Sequence, residues 1–289
     1  MRIINAKTKT MVLNLDPKFK PFTTEEEIIF QNFTFSGGEP HIKIEPNFDI
    51  NQKITITQRL NSFNDLGLLC IAVDALRRIG VNDMELFIPY FPAARQDRVM
   101  IKGEPLSVKV YADIINGMEF NKVYVFDAHS EVTPALVNNC EVIPNHTFID
   151  AVTKSIGNDV KLISPDGGAL KKIYKVSEFL GGVEVVECSK SRDVKTGRLS
   201  GFKVYNDDLQ GADCLIVDDI CDGGGTFVGL AEELKNKNAG KLYLAVSHGI
   251  FNKGFTVLDC FEKIFTTNSF KDFEGEIVEV IQLEDGLLS

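Results

Sequence analysis

The sequence has 289 residues, of which 44% are hydrophobic and 25% are charged, values typical of a globular protein long enough for two domains. Its net charge of −10 argues against a general nucleic-acid-binding surface, and no apolar run approaches the ~18 residues of a membrane helix. We therefore expect neither nucleic acid nor a membrane as a partner. Six cysteines without C-x-x-C spacing, and a start without the apolar core of a signal peptide, predict reduced thiols in a cytoplasmic protein.

Strands and helices alternate through the first half of the sequence. Residues 24–27 predict an exposed turn, and residues 33–40 predict a turn between two strands. An amphipathic helix is predicted from Asn64, at its cap, to Gly80, where it ends. The other elements predicted here are strands at 28–30, 41–45, 54–59 and 84–90, a helix at about 106–117, and a strand that begins at 122.

Polar side chains follow the strand predicted at 84–90. They are Arg95, Gln96, Asp97 and Arg98. Arginine forks chelate phosphate oxygens, and glutamine can hydrogen-bond a base or a ribose. The segment therefore suits a nucleotide, with an ion-paired loop as the alternative.

The strand that begins at Lys122 leads to Asp127 and His129. A lone histidine is more often structural than catalytic. However, the carboxyl ends of parallel strands are where open α/β sheets bind their ligands. The position of His129 beside Asp127 therefore favours a ligand-binding role.

The alternation pauses around residues 138–145 and then resumes. The elements predicted in the second half are helices at 147–156, around 171–172 and from 227, and strands at 160–163, 183–187, 215–217, 242–246, 263–265 and 277–282. Because strand and helix alternate in both halves, the sequence predicts an α/β protein with two doubly wound domains.

Residues 215–227 are the most informative stretch, an apolar run that ends in acids and three glycines. The run predicts a buried parallel strand with Asp218 and Asp219 at its carboxyl end. Residues Gly223 to Gly225 can adopt positive φ and let backbone N–H groups approach an anion at the start of the next helix. The spacing fits neither a Walker loop nor G-x-G-x-x-G. We predict a phosphate site, with an ordinary acidic turn as the alternative.

Residues 189–203 are polar, contain glycine and are rich in cations. This composition is typical of a mobile lid over a site, and also of a solvated surface hairpin. Taken alone, the segment favours the hairpin.

Two hydrophobic residues, two acids and an acid-glycine-threonine turn resemble the PRPP-binding signature of type I phosphoribosyltransferases, with Gly223 where threonine is usual. Across about residues 30–280 the motifs together resemble one family, the ribose-phosphate pyrophosphokinases or PRPP synthetases. The segments that carry this resemblance are 35–39, 88–90, 94–98, 104–105, 127–129, 164–166, Lys190 with Arg192, the Asp218 loop and 267–269.

The resemblance implies two tandem phosphoribosyltransferase-type domains with mainly parallel sheets flanked by helices. They would be residues 1–143, on the ATP side, and residues 144–289, which carry the ribose 5-phosphate loop, with the last ~15 residues packing back on the first domain. ATP and ribose 5-phosphate would give PRPP and AMP with Mg²⁺. A homo-oligomer, a dimer or a hexamer, is also implied.

The same resemblance implies a role for each matched residue. ATP would contact Phe35, Glu39, Arg95, Gln96, Asp97 and His129, and metal ions would be ligated by His129 and Asp166. Ribose 5-phosphate would be held by Asp218, Asp219, Asp222, Gly223, Gly224, Gly225 and Thr226. Lys190 and Arg192 would stabilise the transition state, and Asp218 is also a candidate to accept the proton of the C1 hydroxyl.

Two departures from the family pattern lead to further predictions. Gly37 stands where an acid usually helps to recognise adenine, which predicts relaxed nucleotide selectivity. Residues 101–103 are Ile-Lys-Gly in place of an Arg-Ser-Arg run that forms part of an inhibitory site in regulated members. We therefore predict weak or absent phosphate activation and ADP allostery.

Two alternatives keep the fold and change the function. One is a non-catalytic regulatory relative that assembles with an active enzyme, although retention of the cationic Lys190 segment and the loop acids argues against it. The other is a phosphoribosyltransferase that consumes PRPP, which leaves Arg95 and His129 without a use.

Overall fold

The computed structural model describes residues 10–157, 159–192 and 199–288, without the side chains of residues 191, 192, 199 and 200. The chain forms two compact units. The first contains residues up to Pro144 together with a C-terminal segment that begins at Leu283, and the second runs from Asn145 to Gln282.

The first unit is built on a sheet of six parallel strands. Its elements in chain order are β1 (Thr10–Asn14), β2 (Glu26–Glu27), β3 (Phe30–Thr34), β4 (Pro40–Ile44), β5 (Lys53–Thr57), α1 (Phe63–Ile79), β6 (Met84–Ile88), α2 (Ser107–Asn116), β7 (Lys122–Phe126), α3 (Val132–Leu136) and β8 (Cys140–Ile143). The sheet order is β2-β1-β5-β6-β7-β8, and β3 and β4 form a separate antiparallel hairpin.

The second unit contains a seven-stranded sheet. Its elements are α4 (His146–Ile156), β9 (Val160–Ser164), α5 (Leu170–Phe179), β10 (Val185–Arg192), β11 (Leu199–Val204), β12 (Asp213–Cys221), α6 (Gly225–Asn236), β13 (Leu242–Gly249), a short 3₁₀ helix (Thr256–Leu258), β14 (Lys263–Thr267) and β15 (Val278–Ile281). The order is β11-β10-β9-β12-β13-β14-β15, and only the β10–β11 pair in this described sheet is antiparallel.

The central strands are apolar because helices and neighbouring strands cover them. The side chains of Ile54 on β5 and Leu86 on β6 are fully buried with Leu69 of α1 in the first core. In the second core, Ile216 of β12 is buried with Leu230 of α6. Such strands read as continuous apolar runs, which is typical of parallel sheets. The predicted α/β class with mainly parallel sheets is confirmed.

The first long helix begins earlier than predicted. Ser62, and not Asn64, is its N-cap, because the Ser62 hydroxyl accepts a hydrogen bond from the Asp65 N–H at 3.2 Å. The carboxylate of Asp65 accepts from the Ser62 hydroxyl in return, at 2.9 Å, and from the Asn61 N–H at 3.0 Å. The helix ends at Gly80, as predicted, with φ of 105°.

Several short elements were missing from the sequence prediction. They are β1, β2, α3 and β8. The strand predicted at 28–30 was also misplaced, because Ile28 lies between β2 and β3 and is buried in the first core. Every helix in the described ranges is too short or too polar to cross a lipid bilayer.

Candidate active site

The strand β12 is longer than predicted and contains Asp218 and Asp219 within its span. Its pairing with β13 continues to Cys221, which lies opposite Gly249, so both acids belong to the strand and do not follow it. Asp219 is buried, and its backbone N–H donates to Asp218 Oδ1 at 2.9 Å. Two adjacent carboxylates therefore lie near the carboxyl edge of the second sheet, where the sequence predicted a ligand site.

The environment of Asp218 disfavours its ionised form. Burial raises the pKa of Asp218 well above the ordinary value, and the charge of the neighbouring Asp219 raises it further. The charge of Asp166 acts in the same direction. Cations and sugar hydroxyls suit this site, because a cation balances the negative charge of the carboxylates and a hydroxyl donates hydrogen bonds to them.

The phosphate loop, which we define as residues 222–226, connects β12 to α6. Of its three glycines only Gly224 has positive φ, at 77°, so Gly223 and Gly225 do not use the freedom that the sequence analysis allowed them. A Cβ atom on Gly224 would also lie 2.8 Å from Leu258 Cδ2. The N-cap residue of α6 is Gly224, which has no side chain to cap the helix. The N-terminal end of this 12-residue helix is therefore a favourable place for an anion.

A second loop, residues 250–253, lies along the phosphate loop, and we call it the flanking loop. The N–H groups of Ile250 and Phe251 donate to the Cys221 carbonyl at 2.8 and 3.1 Å, and the N–H of Asn252 donates to the Asp222 carbonyl at 3.0 Å. The Phe251 ring packs 4.9 Å from the ring of Phe255. These contacts hold the flanking loop against the phosphate loop.

The flanking loop was not predicted as part of the site. The signal in the sequence that could have found it is Gly249, which directly precedes two apolar residues in a polar segment. A Cβ atom on Gly249 would collide with the Phe251 ring and lie 2.8 Å from Thr266 Oγ1, so a side chain there would push the loop away.

Asp166 and Lys190, predicted as a metal ligand and a catalytic cation, form an ion pair. Asp166 Oδ1 accepts from the N–H groups of Gly168, at 2.8 Å, and Ala169, at 3.1 Å. Burial alone would raise the pKa of Asp166, but the Lys190 ammonium and these two N–H groups outweigh it and hold the pKa below the ordinary value. Asp166 is therefore an anion in a cationic and hydrogen-bonded setting.

The polar stretch at 189–203 forms an antiparallel hairpin where it is described, with Lys190 of β10 opposite Phe202 of β11. This matches the hairpin alternative for those residues. Residues 193–198 lie outside the described part of the chain, as does the side chain of Arg192, the second predicted catalytic cation.

In the first unit, the loop after β6 meets the end of β7. The side chains of Arg95 and Gln96 are exposed, whereas the Asp97 side chain is 5% exposed. Burial would raise the pKa of Asp97, but a hydrogen bond from Ser130, the Arg98 guanidinium and nearby His129 hold it below the ordinary value. Asp97 thus ties the exposed Arg95 and Gln96 to the strand end that carries the half-buried His129.

The β3–β4 hairpin carries the other two predicted ATP contacts. Phe35 is 52% exposed, and its ring lies 4.8 Å from the ring of Phe33 and 5.5 Å from that of His41. The Glu39 carboxylate lies over Gly37, since a Cβ atom on Gly37 would be 2.5 Å from Glu39 Oε2. An exposed aromatic surface with a carboxylate beside it suits a purine ring.

The predicted metal ligands do not form a closed cage. Within the described ranges, no group of three or more His, Cys, Asp or Glu side chains is arranged to hold a metal ion. His129 belongs to the first unit and Asp166 to the second. Mg²⁺ is commonly bound through one or two carboxylates, waters and substrate phosphates. The donors present fit that mode and not an all-protein site.

The family models and the sequence relatives that match this chain agree with one another. Residues 28–118 match the family described as the N-terminal domain of ribose phosphate pyrophosphokinase, and residues 150–279 match the phosphoribosyl transferase domain. The ribose-phosphate pyrophosphokinase of Thermococcus kodakarensis is 33% identical over 224 residues, which cover 76% of this chain and 77% of that protein. The protein of the same name from Mycoplasma genitalium is 28% identical over 296 residues, which cover 97% of this chain and 86% of that protein.

The fold comparison agrees with the sequence comparison. The crystal structure of phosphoribosylpyrophosphate synthetase from Mycobacterium smegmatis superimposes with a TM-score of 0.78, covering 95% of each chain at 19% sequence identity. At that identity it supports the fold alone. The resemblance found from the motifs is confirmed by the sequence relatives, and the chain belongs to the ribose-phosphate pyrophosphokinase family.

Proposed function

We propose that the protein transfers the β,γ-diphosphate of ATP to the C1 hydroxyl of ribose 5-phosphate, giving PRPP and AMP. The observation that carries this proposal is the carboxyl edge of the second sheet. There the acids of β12 and the N-terminus of α6, which begins after a glycine N-cap, lie on one strand-loop-helix segment, in a chain that belongs to a family with this name.

Ribose 5-phosphate is the substrate of the second unit. Asp218 and Asp219 accept hydrogen bonds from the ribose hydroxyls, which reduces their mutual repulsion. The phosphate loop, from Asp222 through Gly223, Gly224 and Gly225 to Thr226, binds the 5-phosphate through backbone N–H groups and the Thr226 hydroxyl. The support for this assignment is the N-terminus of α6 beside the loop, where N–H groups and the helix dipole favour an anion.

ATP is the substrate of the first unit. The exposed Arg95 and Gln96 hold its phosphates and nucleoside, Asp97 supports their loop, and the half-buried His129 contacts the phosphates. The adenine lies on Phe35, with Glu39 as its polar partner. Base–aromatic stacking contributes about 1–3 kcal/mol, which is enough to make the hairpin a nucleotide-binding element.

Magnesium is the cofactor that the donors fit. His129 would help to hold one ion at the ATP phosphates, and Asp166 would ligate a metal ion on the ribose side. Substrate phosphate oxygens would complete the ligands, and bound ions would neutralise phosphate charge. In the second unit this requires Asp166 to exchange some of its contact with Lys190, because Oδ1 and Oδ2 are both engaged.

In the reaction, the C1 oxygen forms a bond to the β-phosphorus while the bond from that phosphorus to the oxygen of AMP breaks in line. The electron pair of the broken bond leaves with AMP, and the C1 hydroxyl gives up its proton. Asp218 is the group we assign to accept it, because a raised pKa makes its carboxylate a better base than an ordinary aspartate. Lys190 and Arg192 neutralise the charge that builds on the transferred group.

The test is the formation of AMP and PRPP from ATP, ribose 5-phosphate and Mg²⁺, with Lys190→Ala beside the parent. We expect the variant to lose about 100-fold or more in kcat while ATP binding is kept. Lys171→Ala removes an exposed lysine of α5 and is the matched control. Absence of AMP with the parent would contradict the proposal, and conversion of added PRPP with a nucleobase would then favour a phosphoribosyltransferase.

The family resemblance also leads us to infer a cytoplasmic homo-oligomer, a dimer or a hexamer. The six cysteines, all in the described ranges, are free thiols, which supports a reducing compartment. Sedimentation of the purified protein tests the oligomer, and a monomer at micromolar concentration would contradict it.

A further inference from the structure

Lys253 lies on the flanking loop with its side chain beside the phosphate loop. A Cβ atom built on Gly223 would be 3.5 Å from Lys253 Cε and 3.7 Å from Lys253 Cδ. The ammonium nitrogen is one bond beyond Cε. These are ordinary van der Waals distances, so only a side chain longer than a methyl group at position 223 would compete with Lys253 for space. With glycine there, the outer part of Lys253 can bring its charge to the loop.

The backbone of Lys253 is held in this position. The preceding residue, Asn252, donates its N–H to the Asp222 carbonyl at 3.0 Å, and Phe251 donates to the Cys221 carbonyl at 3.1 Å. The Phe251 ring is 5% exposed and packs against the rings of Phe255 and Phe273. Lys253 therefore sits on a packed loop and not on a free segment.

The ammonium group of Lys253 is available to a ligand in the described part of the chain. Among the described residues, none of the ion pairs includes Lys253, and its side chain is exposed. Lys190, the other lysine of the proposed sugar site, is paired with Asp166. Lys253 is thus a cation of the second unit that can meet a ligand without first leaving a carboxylate.

The negative charges near the phosphate loop make a cation favourable there. Asp218 and Asp219 lie on β12 before the loop and Asp222 is its first residue, in a protein with a net charge of −10. A phosphomonoester carries about −1.5 to −2 at neutral pH, whereas a helix N-terminus offers only about +0.5. The backbone groups of the loop alone leave most of that charge unbalanced.

We propose that Lys253 binds the 5-phosphate of ribose 5-phosphate, and that Gly223 provides the space for its side chain. This inference rests on the proposed function, because it takes the sugar phosphate of that reaction as the ligand of the loop. Lys253 is a specificity residue for phosphorylated over unphosphorylated sugar.

The first test is calorimetric binding of ribose 5-phosphate in the presence of Mg²⁺, which needs no turnover. We expect Lys253→Met to raise Kd about tenfold and Lys253→Arg to stay within about threefold of the parent. Lys235→Met, which removes an exposed lysine from the last turn of α6, is the matched control and should leave Kd unchanged. In turnover, Lys253→Met should raise KM for ribose 5-phosphate by the same factor, with KM for ATP unchanged.

The second test is a double-mutant cycle with Gly223→Thr. The added side chain fills the space that Lys253 crosses, so we expect Gly223→Thr to weaken binding alone and to reduce the further effect of Lys253→Met to less than about threefold. Effects that multiply independently would overturn the role of Gly223.

The outcomes separate this inference from the proposed function. An unchanged Kd for ribose 5-phosphate in Lys253→Met would overturn the inference even if AMP is formed. A parent that binds ribose 5-phosphate without forming AMP would contradict the proposed reaction, and the Kd comparison would still decide on Lys253. A parent that does not bind ribose 5-phosphate would overturn the inference directly.

Discussion

The ammonium group of Lys190, on β10, forms an ion pair with the carboxylate of Asp166, which follows β9. The two groups have opposite tasks in the proposed reaction, since one neutralises phosphate and the other holds a metal ion. In the structure each satisfies the other. Under the proposed function, binding of substrate and metal would begin with an exchange of partners, in which phosphate contacts Lys190 and a cation contacts Asp166.

The first prediction concerns the contribution of Asp166 to stability. Its folded-state pKa lies below the ordinary value of 3.8, so its stabilising contribution is present above that pH and is lost as the pH falls through the lowered pKa. We expect Asp166→Asn to cost about 1 kcal/mol at pH 7 and progressively less as the pH falls below 3.8 through the lowered pKa. Chemical denaturation of parent and variant across this range measures the difference.

A fully exposed acid of the same unit is the control for this experiment. The Asp207 side chain is 107% exposed, and its nearest cation, Lys237, is 3.9 Å away. Asp207→Asn should leave the free energy of unfolding unchanged at every pH. A loss in Asp166→Asn that does not shrink on acidification below pH 3.8 would contradict the ion-pair explanation.

The second prediction has the opposite sign and concerns Asp218. Because its folded-state pKa is raised, the ionised carboxylate disfavours folding at pH values above that pKa, and the cost disappears as the pH falls toward 3.8. Asp218→Asn should therefore stabilise the ligand-free protein at pH 7 by about 1–2 kcal/mol, by removing a buried charge. The same variant should lose PRPP formation.

Thermal unfolding without ligands at several pH values checks the stability of Asp218→Asn. The stabilisation should shrink steadily on acidification. A lower melting temperature than the parent at pH 7 would show that the negative charge of Asp218 supports the fold.

The third prediction compares two neighbouring glycines of the phosphate loop. Gly224 has φ of 77° and would place a Cβ atom 2.8 Å from Leu258 Cδ2, so Gly224→Ala should cost about 1–3 kcal/mol and weaken ribose 5-phosphate binding. Gly225 meets nothing within 4 Å and begins α6, so Gly225→Ala should be neutral or slightly stabilising. Equal effects of the two substitutions on the free energy of unfolding would contradict this account.

The fourth prediction concerns the aromatic surface of the β3–β4 hairpin. Phe35→Ala should raise KM for ATP about tenfold through loss of stacking, with little change in KM for ribose 5-phosphate. Phe63, which is 63% exposed and stacks on Tyr111, provides the control, since Phe63→Ala also removes an exposed phenyl ring. Initial-rate kinetics with each substrate varied decide between a nucleotide-binding and a merely structural role.

The fifth prediction concerns regulation by ADP. Glu104 Oε2 accepts from the N–H groups of Met100 and Ile101, both at 3.1 Å, and the Ile101 side chain is 67% exposed. Lys102 is the one cation in residues 101–103, so these three residues offer no arginine fork for a diphosphate. We expect hyperbolic inhibition that competes with ATP and no activation by inorganic phosphate. Sigmoidal inhibition by ADP at saturating ATP would count against the prediction.

The sequence was most informative where local chemistry decides the structure. The apolar run, acids and glycines of residues 215–226 predict a strand and a turn before a helix, which the structure has. The helix that ends at Gly80 needs a residue there that accepts positive φ. Its start was misjudged because two polar residues, Ser62 and Asn64, compete for the cap. The reciprocal hydrogen bonds between Ser62 and Asp65 decide in favour of the serine.

The elements that were missed depend on distant partners. The end of β12 is set by pairing with β13, as far as the Cys221–Gly249 pair, and an apolar count along one strand cannot give that limit. The strand β8 is mostly half-buried, so it has a weak hydrophobic pattern, and it is fixed by pairing with β7. Lys253 was not predicted as a site residue for the same reason, because it comes close to Gly223 only in the folded chain.

The C-terminal segment that belongs to the first unit affects how the protein is made. Leu283 and Leu288 are buried, and Thr24 Oγ1 donates to Asp285 Oδ2 at 3.2 Å. Since these residues are synthesised after the whole of the second unit, the first unit becomes complete only after the second has been made. A fragment that stops at Pro144 lacks part of its own unit, so a single proteolytic cut between the units cannot yield two intact halves.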